Sequence, residues 1–201
     1  MRYGMAIDLK ACVGCNACTV ACRMENGTPA GILLCRVEKY ETGKYPAARM
    51  GFLPLACMHC ADPRCLKVCP TGATYQREEG PVLVDSHKCI GCQYCVLACP
   101  YEARHLLRKI ENYYGPETVT PWEERKRETL TRGTVLKCTF CAERLERGRQ
   151  PACVEVCPAN ARCFGDLDDP ESDVAKIIAR QGGAVLKAEL GTRASVFYLN
   201  S

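Results

Sequence analysis

The chain has 201 residues, of which 27 are basic, 23 acidic and 18 cysteine. A net charge of +4 scattered along the chain is no nucleic-acid footprint, and no apolar run reaches the roughly 18 residues that a membrane-spanning helix needs. The 47 % apolar fraction counts the cysteines; without them the aliphatic core is thin, so something held by the cysteines is expected to fill the middle.

Residues 3–8 read as a short strand leading into a first cysteine group, Cys12-x2-Cys15-x2-Cys18-x3-Cys22. Arg23 follows it where such runs usually carry proline, so a helix is expected from residue 17 to about 26, stopped by Gly27 and Pro29. Residues 32–55 alternate weakly around Gly43 and Pro46 and predict a surface hairpin. The second group is Cys57-x2-Cys60-x4-Cys65-x3-Cys69-Pro70, its longer gap adding a tight turn at Asp62-Pro63. Residues 73–77 and 81–85 flank a Glu79-Gly80 turn and predict a hairpin that delivers the third group, Cys89-x2-Cys92-x2-Cys95-x3-Cys99-Pro100. Residues 107–136 form a charged insertion holding Tyr113, Tyr114, Pro116, Pro121 and Trp122, either a solvated loop or a docking loop for a partner. The fourth group is Cys138-x2-Cys141-x11-Cys153-x3-Cys157-Pro158, with a helix expected over 142–147 between its pairs. Residues 161–165 look like a strand returning beside residues 3–8. A helix is expected to open at Asp168-Asp-Pro-Glu171, with Pro170 in its first turn, and to run to about residue 181. Residues 192–200 are strand-like and apolar enough to lie against something.

The spacing C-x2-C-x2-C-x3-C-P is the ligand run of bacterial-type 4Fe-4S clusters: three thiolates converge on one cube, and the fourth reaches a neighbouring cluster. A disulfide scaffold fits poorly, because cysteines at these intervals pair badly and residues 1–8 lack the apolar stretch of a signal peptide. A zinc-binding structural module would use C-x2-C pairs but has no use for the third cysteine or the C-x3-C-P tail. Sixteen of the cysteines therefore predict four 4Fe-4S clusters. The crossing rule assigns Cys12, Cys15, Cys18 and Cys157 to the first, and Cys22, Cys138, Cys141 and Cys153 to the second. It assigns Cys57, Cys60, Cys65 and Cys99 to the third, and Cys69, Cys89, Cys92 and Cys95 to the fourth. With four oxidised clusters bound, the net charge would be about −4. Lys10, Arg23, Arg64, Lys67, Lys88 and Lys137 lie near the ligands in sequence and are candidate counter-charges or plain surface residues. Cys35 and Cys163 are left over as packed thiols, and His59 either packs or hydrogen-bonds near a cluster.

The predicted fold class is α+β: two bacterial-ferredoxin-like modules, one inserted in the other. One module comprises residues 1–27 and 137–166, the other 56–106, with insertions at 28–55 and 107–136 and a C-terminal helix and docking tail at 167–201. No C-x-x-C-H, G-x-G-x-x-G or P-loop occurs, so haem, flavin and nucleotide sites lack support. Nor is there a nucleophile–base arrangement, so the chain is expected to turn over no substrate alone. Several centres in a chain about 40 Å across read as a wire.

The four groups in this order resemble the iron–sulfur subunit of molybdopterin oxidoreductases of the dimethyl-sulfoxide reductase type. Cys138-Thr-Phe-Cys141-Ala-Glu-Arg-Leu-Glu146, residues 164–172 and Phe197-Tyr-Leu-Asn200 are most similar to the polysulfide, thiosulfate and arsenate reductase branch. The resemblance implies an electron-transfer subunit that links a molybdopterin (Mo or W) catalytic subunit to a membrane anchor exchanging electrons with quinone. It also implies that the module holding Cys57–Cys99 faces the anchor, with Pro70, Thr71 and Tyr94 toward the quinone end, and that Cys92 completes a fourth cubane. The alternatives are a relay in a hydrogenase- or formate-type complex, or a free polyferredoxin. Location is expected to be a membrane-associated complex through partners, exported folded on a partner's twin-arginine signal or held at the cytoplasmic face.

Overall fold

The structure is a computed structural model that describes residues 1–115 and 118–200; Pro116 and Glu117 of the second insertion, and Ser201, lie outside the described residues. In chain order its elements are β1 (Tyr3–Asp8), α1 (Ala17–Asn26), β2 (Arg36–Thr42), β3 (Arg49–Leu55), α2 (Arg64–Lys67), β4 (Thr74–Gln76), β5 (Val82–Val84) and α3 (Tyr94–Leu97). Then come β6 (His105–Leu106), α4 (Pro121–Arg127), β7 (Val135–Leu136), α5 (Ala142–Glu146), α6 (Ala152–Glu155), β8 (Arg162–Asp166), α7 (Asp173–Gln181) and β9 (Val196–Leu199). Short helices and strands are thus mixed along the chain, an α+β arrangement.

The largest sheet has the order β8-β1-β9, with β1 antiparallel to β8 and parallel to β9. Side chains on β1 alternate between its two faces. Met5 and Ile7 pack with Met58, Phe140, Phe164, Val196 and Tyr198 on the face toward the cysteine loops. Ala6 points the other way, with Val174 and Leu199, under α7. The tail therefore lies against this chain's own β1.

Two strand pairs repeat one device. In the first, Ile7 faces Arg162 across the β1–β8 ladder, and Asp8 N–H donates to the Ala161 carbonyl at 2.8 Å. In the second, Thr74 faces Val84, and Asp85 N–H donates to the Ala73 carbonyl, also at 2.8 Å. Four residues past each aspartate comes a cysteine, Cys12 or Cys89, whose N–H donates to that aspartate's carbonyl at 3.1 Å. Each ladder thus brings a cysteine that precedes one strand, Cys157 or Cys69, to a cysteine loop that follows the other.

The β2–β3 hairpin is an antiparallel pair running from Arg36↔Leu55 to Thr42↔Arg49, exposed toward its turn, while Leu53, Pro54 and Leu55 at its base pack toward the core. Helix α1 ends where Gly27 takes φ 60° in the left-handed region, which suits a residue without Cβ. Two elements differ from the sequence expectation. The second insertion contains α4, whose N-terminus is a full capping box: Thr120 accepts from the Glu123 N–H and Glu123 accepts from the Thr120 N–H. The insertion folds onto the end of α1, where Arg23 lies over the Tyr113 ring and Lys126 Nζ donates to the Glu25 carbonyl at 2.6 Å. Helix α7 starts at Asp173 instead of near Pro170, because Ser172 is the N-cap, accepting from Ala175 N–H at 3.2 Å. The segment leading into it is a turn in which Asp166 and Asp169 accept backbone N–H groups.

Leu199 is wholly buried between Ala6, Val174 and α7. Leu199→Ala is expected to cost about 2–5 kcal/mol, read as a lower melting temperature of the full chain.

Candidate metal centres

All four C-x2-C turns share one backbone feature. The residue just before the second cysteine has positive φ in each: Gly14 66°, His59 41°, Gly91 67° and Phe140 53°. Glycine adopts this freely, whereas His59 and Phe140 do so at a cost of order 1–2 kcal/mol. The turn aims the amide at sulfur: His59 N–H donates to Cys57 Sγ and Phe140 N–H to Cys138 Sγ, both at 3.4 Å. These two rings then stack on one another, centroids 3.7 Å apart, joining the second and fourth cysteine groups. The third cysteine of every group is the second residue of a helix: Cys18 in α1, Cys65 in α2, Cys95 in α3 and Cys153 in α6.

Four cavities gather sixteen cysteines by fours. Cys12, Cys15, Cys18 and Cys157 line one, and Cys22, Cys138, Cys141 and Cys153 line the next, where Cys35, outside the four motifs, forms part of the wall as a fifth cysteine. Cys57, Cys60, Cys65 and Cys99 line a third, and Cys69, Cys89, Cys92 and Cys95 a fourth. Each fourth-position cysteine has crossed to the partner group, through the strand pairings given above for Cys157 and Cys69. All eighteen thiols are free, and among the described residues no three Cys, His, Asp or Glu side chains converge closely enough to hold a single metal ion. The sulfurs stand around a space instead of meeting at a point.

The cavities follow one another in a row. Arg162 reaches Cys18 of the first and Cys153 of the second. Cys138 of the second faces Cys57 of the third, beside the stacked His59 and Phe140. Arg104 reaches Cys65 of the third and Cys95 of the fourth. Exposed thiols occur only in the two terminal sets, Cys15 and Cys92. Val13 surfaces beside the first, and Ile90, Tyr94 and Leu97 beside the second.

Burial pushes the Cys138 and Cys60 thiols up to about 12 and Cys141 up to about 11, and drives Cys22 up as well. Such thiols stay protonated near neutral pH unless a metal takes the proton's place, which is how thiolate sites couple metal uptake to proton release. Cys69 moves the other way: burial, the largest single influence, is outweighed only by the hydrogen bonds from Thr74 and Thr71 together, foremost the Thr74 N–H 3.3 Å from its Sγ. Ala161 N–H makes the equivalent bond to Cys157, also at 3.3 Å. Four-cysteine cavities lined with amide donors fit 4Fe-4S clusters, whose sulfurs accept such bonds.

The positive charges inside are not the ones expected from proximity in sequence. Lys67 pairs with Asp62, Lys88 with Asp85, Arg64 caps the Leu190 carbonyl, Arg23 bonds Tyr113 and Lys10 is exposed. Of that set Lys137 alone is buried, its Nζ held by the Val82 and Cys138 carbonyls. Arg104 and Arg162, which ligand spacing does not single out, are both buried against thiols. A signal was present, since Cys-Pro-x-x-Ala-Arg occurs at both 99–104 and 157–162. Cys35 is also buried, with Arg162 Nη2 3.5 Å from its Sγ and equally far from Cys18 Sγ, and its thiol beside Cys18 helps hold that thiol low. Cys163 faces α7, away from the cavities. His59 is a packed neutral imidazole whose Nδ1 accepts the Val82 N–H at 3.0 Å; burial holds its pKa well below the usual histidine range.

A 4Fe-4S dicluster domain family matches residues 48–114 and 117–167, and a second family of the same description matches 11–73. The chain is 44 % identical to a subunit of the selenate reductase of Mesobacillus selenatarsenatis, over 99 % of this chain and 72 % of the relative. It is 40 % identical to the arsenate respiratory reductase iron–sulfur subunit of Shewanella sp. strain ANA-3, over 100 % of this chain and 97 % of that protein. It is 38 % identical to one of the chains of the polysulfide reductase of Wolinella succinogenes, over 98 % and 93 % respectively. With such relatives along nearly its whole length, and with its cysteines gathered as they are, this protein belongs to the 4Fe-4S dicluster family of iron–sulfur subunits of respiratory reductases.

Proposed function

We propose that the sixteen cysteines hold four 4Fe-4S clusters in the four sets that line the cavities, and that the chain relays electrons within a reductase complex. Each cluster, when bound, supplies a one-electron couple. The chain's own part is to space the sites, to supply amide and guanidinium donors to their sulfurs, and to keep water from the inner two. It is a non-catalytic subunit. The observation that carries the reading is the row of cavities with exposed thiols only at its two ends. A relay needs buried intermediates and two accessible termini.

We read residues 1–27 with 137–166 as one ferredoxin-like module, and 56–106 as a second one inserted into it; the repeated strand-pair device supports this division. In this reading the partner at the Cys15 end is a molybdopterin-containing catalytic subunit, as the resemblance of the four cysteine groups implies; the relatives' names support only that the partner belongs to a reductase. The Cys92 end faces a membrane anchor that exchanges electrons with quinone, and the apolar Ile90, Tyr94 and Leu97 around it suit such a contact. No helix among the described residues is long and apolar enough to cross a membrane, so attachment in this reading comes through the partner. The complex is either exported folded with a twin-arginine-bearing partner or held at the cytoplasmic face.

Iron analysis of the chain purified with its partners should give about sixteen irons, with broad absorption at the visible–ultraviolet edge. Zinc in place of iron, or isolation with a nickel subunit, would reject the reading. Cys92→Ser should lose between one and about four irons and slow quinol-side electron transfer, while unchanged electron paramagnetic resonance would refute the fourth set. Gly91→Ala tests the same end through the backbone. A Cβ there would sit 2.1 Å from the Gly133 carbonyl oxygen at a φ of +67°, so the Cys89–Cys92 turn must deform. Iron content should fall by about a quarter, the share of one cluster in four.

A further inference from the structure

Arg104 and Arg162 occupy the same place in two halves of the molecule. Each follows a Cys-Pro pair by the same interval, in Cys99-Pro-Tyr-Glu-Ala-Arg104 and Cys157-Pro-Ala-Asn-Ala-Arg162. They are 3 % and 6 % exposed. Arg104 Nη2 lies 3.0 Å from Cys65 Sγ and its Nη1 lies 3.0 Å from Thr74 Oγ1, and its charge also acts on the Cys95 thiol, lowering that thiol's pKa against the rise that burial causes. Arg162 Nη2 lies 3.5 Å from Cys18 Sγ and from Cys35 Sγ, while Nη1 lies 3.9 Å from Cys153 Sγ and 3.4 Å from Met5 Sδ. Cys65 and Cys95 line different cavities, as do Cys18 and Cys153. In both halves the guanidinium acts on the third cysteine of each of two adjacent sets, Arg162 through contacts to both and Arg104 through a contact to Cys65 and its charge near Cys95.

Among the described residues, neither arginine forms an ion pair with a carboxylate, although most of the chain's other pairs do involve arginine. Burying an unpaired guanidinium is costly, so its counter-charge must be something else in the interior. The thiolates of loaded clusters are the available anions. A lysine could serve one sulfur as a point charge; the planar fork of arginine presents separate nitrogens to two sulfurs at once and never loses its proton.

Resting on the ligand sets proposed above, we infer that Arg104 and Arg162 are shared counter-charges, each setting the reduction potentials of the two clusters it lies between. Adding one electron to either neighbour adds one negative charge beside a fixed positive one, so reduction of both is favoured. The guanidinium keeps its protons throughout, and no proton need accompany the electron. A charge placed between two sites shifts both in the same direction, so it raises their potentials without driving adjacent steps of the relay apart.

The test is a redox titration of the intact complex, followed by electron paramagnetic resonance, with iron counted in every sample. Cys92→Ser identifies the signal of the terminal set. Arg162→Gln should move two signals together to lower potential and leave the other two in place. Arg104→Gln should move the complementary pair, which includes the signal marked by Cys92→Ser. Arg→Lys at each site should return part of the shift. With iron retained, no shift, a shift of one signal alone or a shift of all four from a single substitution would overturn the inference while leaving four clusters standing. If Arg→Gln loses iron that Arg→Lys keeps, the need for charge is supported. Loss in both variants would mean that the guanidinium serves only as a packing fork, and the inference fails. A wild-type complex without iron would instead sink the ligand sets themselves.

Discussion

Two short antiparallel ladders decide where the sulfurs go. The β1–β8 and β4–β5 pairings bring cysteines from distant parts of the chain to one cavity wall, and nothing in the cysteine loops alone would do so. Closing a long loop costs little more than closing a moderate one, because the entropy grows only with the logarithm of length. The chain can therefore carry residues 28–136 between the two strands of the first device without losing it. The second ladder is only three pairs long, too short to stand on its own. Arg104, bonded to Thr74 at the start of β4, ties that ladder to the sulfurs it positions. Metal uptake and completion of the fold are coupled on this view, as they are in other proteins whose ligands converge only in the folded state.

The interior is built around charge as much as around apolar packing. The main core combines Met5, Ile7, Phe164 and Tyr198 with Cys57 and flanking thiols, so sulfur occupies space that an ordinary domain gives to aliphatic side chains. Buried thiols shift upward when left alone, and the groups that offset this are fixed: backbone amides in left-handed turns, two guanidiniums and the buried Lys137. Arg144 adds a structural counterpart. It bridges Glu25 at 2.8 Å and Glu155 at 2.5 Å, tying α1, α5 and α6 together around the second cavity. Its partners are carboxylates, and this separates its role from that of Arg104 and Arg162.

Much of this was legible in the sequence because it is local. A C-x2-C turn carries its geometry in its spacing, and the Glu79-Gly80 and Gly43 turns marked their hairpins directly. Helix α4 was missed although Thr120 and Glu123 spell a capping box, because seven mostly charged residues show no apolar period to announce a helix. The start of α7 was misplaced because Pro170 suits a first turn, while Ser172 has the stronger local claim through its bonds to Ala175 N–H and the Asp166 carbonyl. The buried arginines were passed over for a different reason: arginine usually lies at the surface, and only contacts across the fold reveal these two as interior. Likewise, nothing in the spacing says that His59 and Phe140, each at a turn position that favours glycine, face one another.

The first cysteine group departs from the other three, and the departure explains the second insertion. In the second and fourth groups the last cysteine precedes proline, and a backbone N–H a few residues on, that of Thr74 or Ala161, donates to its sulfur. Cys22 is followed by Arg23, so α1 continues past it and the nearby amides are spent on helical bonds. Asn26 supplies the missing donor from its side chain, Nδ2 lying 3.5 Å from Cys22 Sγ and 2.9 Å from its carbonyl. This works only if the last turn of α1 is held. Tyr113 accepts from Arg23 Nε at 2.8 Å and bonds the Thr28 carbonyl, and Lys126 grips the Glu25 carbonyl. A segment that reads in sequence as a loose charged loop is thus, in large part, the clamp that fixes the last ligand of the second cavity.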